Sequence, residues 1–125
     1  MKDKKIKSFE DLFVWKEGHS LVLMVYAATS TFPESEKFGL SSQMRRCAVS
    51  ITSNIAEGFS RKGYKEKINF YYISAGSFSE LKNQLLIARD VNYLSKKSFD
   101  ELMDKTNSVH KLLNLFISKT KTFIS

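Results

Sequence analysis

The stretch QMRRCAVSITSNIAEGFSRKGYKE, residues 43–66, carries the pattern from which the fold is read. At 100° per residue, Leu40, Met44, Ala48, Ile51, Ile55 and Phe59 fall on one face, with Cys47 at its edge. Gln43, Arg46, Ser50, Ser53, Glu57 and Arg61 gather on the other. A stripe of this kind specifies a helix with one face in a core and one in water. Arg46 points almost opposite Met44 while Arg45 projects from the flank, so the arginine pair straddles the boundary. Gly58 and Gly63 bracket the turn that follows, Gly58 helping to end this helix and Gly63 capping the next.

The same three- and four-residue recurrence extends in both directions, and one proline, Pro33, and five glycines punctuate the 125 residues. A first helical segment is expected from about Ser8, an N-cap with Asp11 in the first turn, to about Ser30. The second runs from near Ser41 to Phe59 and the third from Gly63 to Val91. The fourth follows SKKSFDEL, where Ser98 and Glu101 have the spacing of a capping box, and reaches towards Lys119. Long helices with short connections favour antiparallel neighbours, whereas an α/β fold lacks alternating strand patterns here. The expected fold is all-α, an antiparallel up-down-up-down four-helix bundle over residues 8–121. A basic arm precedes it at 1–7 and a tail follows at 122–125.

Charge is unevenly spread. Lys and Arg total 20 against 13 Asp and Glu, a formal charge of +7. Residues 37–67 hold seven cations and two acids, residues 105–125 hold four Lys and no acid, and the N-terminus is a third basic cluster. Polyanions are the partner class this balance favours. The candidate nucleic-acid-binding residues are Arg45, Arg46, Arg61, Lys62, Lys65 and Lys67, with Tyr64, Tyr71 and Tyr72 close in sequence for stacking on unpaired bases. Tyr71 and Tyr72 share helical core spacing with Ile68 and Ala75, however, and at least one of them is expected in the core.

Catalytic signals are sparse. Cys47 is the single cysteine and sits in an apolar stripe, which excludes an internal disulfide, fits a reducing cytoplasm and blunts its nucleophilicity. His19 and His110, the two histidines, lack the Glu-x-x-His spacing of di-iron bundles. GFSRKGYK, residues 58–65, has the glycine separation of a phosphate loop, but Tyr64 stands in the lysine position and no strand leads in. No enzyme, cofactor or metal site is expected, and no apolar run reaches the length of a membrane span.

The first segment is apolar on most of its circumference, so it needs more than one packing partner, and a subunit interface including Trp15 and Tyr26 is expected. In the third segment, Ala75, Gly76 and Ser77 are expected to admit close approach of another helix.

FEDLFVWKEG, FPESEKFGLSSQMRRCAVSITSNIAEGFSR and FYYISAGSFSELKNQLLIARDVNYL together resemble the family of four-helix-bundle proteins encoded in intervening sequences of bacterial 23S ribosomal RNA genes. Arg45 and Arg46 match that family's arginine pair, and Ser50, Asn54, Glu57 and Gly58 its polar run. Cys47 replaces a common alanine, and Gly63 a common Ser or Thr cap. The resemblance implies an antiparallel bundle assembling as a ring-like homopentamer. It also implies similarity in fold to the basic pentameric accessory proteins of diversity-generating retroelements, which engage a reverse transcriptase and nucleic acid. Two functions follow as expectations: a non-enzymatic oligomer binding ribosomal RNA or other nucleic acid, or a protein-interaction scaffold, an adaptor for a polymerase or reverse transcriptase.

Overall fold

Four helices account for most of the chain: α1 Phe13–Thr29, α2 Leu40–Ser60, α3 Tyr64–Asp90 and α4 Lys96–Lys121. The computed structural model describes residues 5–124, so the first four residues of the expected basic arm and the last residue of the expected tail lie outside it. Short 3₁₀ turns, Phe9–Asp11 and Glu34–Glu36, precede α1 and α2.

Side-chain pairs fix the direction of every neighbour. Thr29 meets Arg45 while Gly18 lies against Thr52, so α1 and α2 run antiparallel. Ser77 meets Ser50 and Tyr71 covers Gly58, which sets α3 antiparallel to α2. Tyr71 packs on Phe116 and Arg89 on Phe99, so α4 reverses again, and Lys105 reaches back to Glu17 of α1 at 3.1 Å. Helices α1 and α3, like α2 and α4, stay apart across the diagonal, enclosing a core that includes Leu21, Met44, Ile51, Phe78, Leu85 and Leu113.

Small side chains bring α2 and α3 together. Ser74 Oγ donates to the Ile51 carbonyl at 2.8 Å, the Cys47 thiol to the Ser77 carbonyl at 3.1 Å, and Ser77 Oγ to Ser50 Oγ at 3.0 Å. Each satisfies a polar group that burial would otherwise penalise.

Several local expectations change. Ser8 does cap, in a complete capping box with Asp11, but it caps the 3₁₀ turn; Leu12 is extended and α1 begins at Phe13. Gly58 does not end α2. It lies inside the helix, where an added Cβ would fall 2.6 Å from the Tyr71 ring and 3.0 Å from the Lys67 carbonyl. Close approach therefore occurs at Gly58 and not at Gly76, which faces open space on the outside of α3. The cap of α4 is Ser95, whose Oγ accepts from Ser98 N–H at 3.1 Å, three residues ahead of the expected box. Helix α3 ends in a Schellman arrangement: Asn92 is left-handed at φ 66°, with Asn92 N–H on the Arg89 carbonyl and Tyr93 N–H on that of Ala88.

Candidate nucleic-acid interface

Up-down-up-down topology gathers the start of α1, the α2–α3 turn and the end of α4 at one end of the bundle. Tyr64, opening α3, stacks on Phe123 just beyond α4 with ring centroids 5.3 Å apart, and Lys121 lies 5.1 Å over the Tyr72 ring. Residues 5–13, 57–67 and 111–124, which meet here, hold nine Lys or Arg and four Asp or Glu. At the opposite end, residues 30–46 and 80–104 hold seven cations and seven acids. Basic clusters far apart in sequence thus become neighbours at one end.

The six candidate cations do not form one patch. Arg61, Lys62, Lys65 and Lys67 share the α2–α3 turn, whereas Arg45 and Arg46 sit about four helical turns away along α2. Nor are all six equally available. Arg45 is half-buried, donating from Nε to Thr29 Oγ1 at 2.8 Å with its guanidinium 4.7 Å over the Tyr26 ring. Arg61 pairs with Glu57 at 2.6 Å and covers Phe70, its buried Nε having no partner among the described residues. Lys67 donates to the Phe59 carbonyl at 2.6 Å, closing the end of α2, and burial lowers its pKa. Arg46, Lys62 and Lys65 are exposed and have no side-chain partner among the described residues.

The polar run lines the α2–α3 seam and its continuation. Asn54 Nδ2 donates to the Ser50 carbonyl at 2.8 Å and to Ser50 Oγ at 3.1 Å, orienting the hydroxyl that receives Ser77. Tyr71, closed over Gly58, has its phenol pushed up to about 12 by burial. Trp15 is edge-on to Phe9 and stacked on His19, while Tyr26 carries the Arg45 guanidinium on its face; both rings thus have partners within the chain.

Charge polarity of this kind, on an all-helical scaffold, was only partly visible in the sequence. Tyr64 and the acid-free C-terminal stretch are each evident in the sequence, but their meeting in the Tyr64–Phe123 stack is not. The signal was the antiparallel register, which returns the end of α4 to the start of α3. Among the described residues, no three His, Cys, Asp or Glu side chains cluster as a metal site, and no helix is long and apolar enough to cross a membrane.

The architecture defines a class, four-helix bundles with short connections and a cationic end. Residues 10–115 match the model of the 23S rRNA-intervening sequence protein family, and the chain belongs to that family. It is also similar to a crystal structure, of unknown function, from the S23 ribosomal protein family of Bacteroides thetaiotaomicron. That likeness has a TM-score of 0.74 at 20% identity and covers 83% of this chain and 97% of the other. No curated protein matches the chain.

Proposed function

We propose that this protein is a non-enzymatic, self-associating bundle that binds RNA, ribosomal RNA first among the candidates, through its cationic end. The observation that carries this reading is the contrast of nine cations to four acids at one end with seven to seven at the other. Concentrated positive charge neutralises phosphates and releases their counterions, a sequence-independent attraction. Lys62 and Lys65 are the leading phosphate contacts because no group among the described residues competes for them, and Arg61 and Lys67 hold the turn that presents them.

Self-association is supported by the outer face of α1, where Phe13, Leu23 and Tyr26 are 63%, 57% and 42% exposed. A homopentamer is the assembly we expect, with Trp15 and Tyr26 near its contacts. Repetition of the cationic end around a ring would multiply weak contacts into useful affinity. A second reading, a scaffold for a polymerase or reverse transcriptase, draws support from Phe38, 90% exposed beside Lys37 and Arg46 at the balanced end.

Titration of labelled 23S rRNA fragments across a salt series tests the main reading. Affinity should fall linearly in log–log form as salt rises. An absence of binding at low salt overturns it. Light scattering tests assembly, and a monomer at micromolar concentration would overturn that part.

A further inference from the structure

We propose that the cationic end selects unpaired strands over duplexes, because Tyr64 and Phe123 form a platform on which an extruded base stacks. The inference rests on the RNA-binding reading and adds the form of nucleic acid recognised. The two rings are nearly parallel, 22° apart at 5.3 Å between centroids, and together they remain 43% and 55% exposed. Large aromatic surface left in water is costly, and here it adjoins Lys65, with Lys62 two residues before Tyr64 in the same turn, neither lysine having a side-chain partner among the described residues. A depression of about 370 Å³ runs along the pair, with Gly63, Lys65 and Glu66 on its walls. Gly63 contributes no side chain and has open space above it, so the approach to the rings is unobstructed on that side.

A strand laid here has its phosphates against Lys62 and Lys65 and one base extending the two-ring stack. Stacking is open to any base because each has a π-face, so the site discriminates by strandedness and not by sequence. A duplex offers the same phosphates, but its bases are already stacked on one another and cannot reach the rings. Glu66 is the one acid on the walls, opposed there by Lys65, so the phosphate path is biased to the lysine side.

Fluorescence anisotropy with labelled oligouridylate, free and annealed to oligoadenylate, tests the proposal at several salt concentrations. The free strand is expected to bind roughly tenfold or more tightly than the duplex, as loss of one base–aromatic stack implies. Phe123→Ala, a change beyond the last helix, should remove most of that advantage while leaving the salt slope unaltered, and Phe123→Trp should retain it. Lys62→Ala with Lys65→Ala should instead flatten the slope by about 0.7 per lysine for single strands. Equal affinity for strand and duplex, or a Phe123→Ala protein of normal affinity, overturns the stacking platform while leaving charge-driven binding in place. Failure to bind either form at low salt overturns the underlying reading as well.

Discussion

At the end where α2 turns into α3, nine cations meet four acids; at the far end, seven meet seven. The numbers of positive groups differ little, so the contrast lies mainly in what answers them. At the balanced end Lys96 pairs with Asp100, Arg89 with Asp90, and Glu36 accepts from Tyr93 and Leu40 N–H. Of these, the Tyr93–Glu36 bond ties the two connections of that end together, while the ion pairs are local to α4 and to the end of α3, and all are uses of charge within the chain. At the cationic end the internal uses stop at Arg61, Lys67 and Lys121, leaving lysines turned to water. Total charge would not distinguish these situations; topology does.

Reversal of charge should break the contrast most visibly. Lys62→Glu with Lys65→Glu is expected to weaken RNA binding by tenfold or more at low salt. Lys96→Glu with Lys97→Glu, at the other end, should change it little. Titration of both variants against one RNA checks this, and equal losses would show that the surplus acts as a diffuse field rather than at one end.

Packing beneath the cationic end provides the next test. Gly58→Ala pushes a methyl group into the Tyr71 ring and the Lys67 carbonyl, and should cost about 1–3 kcal/mol of stability in urea unfolding. Gly76→Ala meets nothing within 4 Å, and should raise stability by about 0.5–1 kcal/mol in the isolated chain by restricting the unfolded state. A loss at Gly76 under conditions where the protein self-associates would place a neighbouring copy against that face of α3.

The smallest effect concerns acid. His110 stacks on Phe78, and its Nδ1 faces the Lys82 ammonium at 2.9 Å; burial, reinforced by that charge, lowers its pKa from 6.5. As pH falls through 6.5 the unfolded chain takes up this proton before the folded one, so stability declines from there down to the lowered folded pKa. His110→Gln should remove that part of the decline, measured as the change in unfolding midpoint between neutral and mildly acid buffer.

Much of the fold was legible because periodicity is a local property of sequence. The stripe Met44–Ala48–Ile51–Ile55 is buried as the helical angle demands, and the four segments stand close to their expected bounds. What could not be read were features decided by tertiary partners. Gly58 looked like punctuation, yet Tyr71, thirteen residues away on the next helix, is what requires a hydrogen there. Ser98 and Ser95 are both serines ahead of the same apolar run, and only the start of α4 chooses between them. The candidate site divided for the same reason. Arg45, Arg61 and Lys67 look like Arg46, Lys62 and Lys65 in composition, but aromatic rings, Glu57 and the Phe59 carbonyl engage the first three.

Cys47 has a practical consequence. Its thiol, 4% exposed and hydrogen-bonded across the seam, is pushed up to about 12 by burial, with Glu80 adding to the shift. Alkylating reagents at neutral pH should therefore modify the chain only during excursions in which α2 and α3 separate. The rate of iodoacetamide incorporation becomes a clock for that opening, and its slowing on addition of RNA would report how far an occupied end steadies the rest of the molecule.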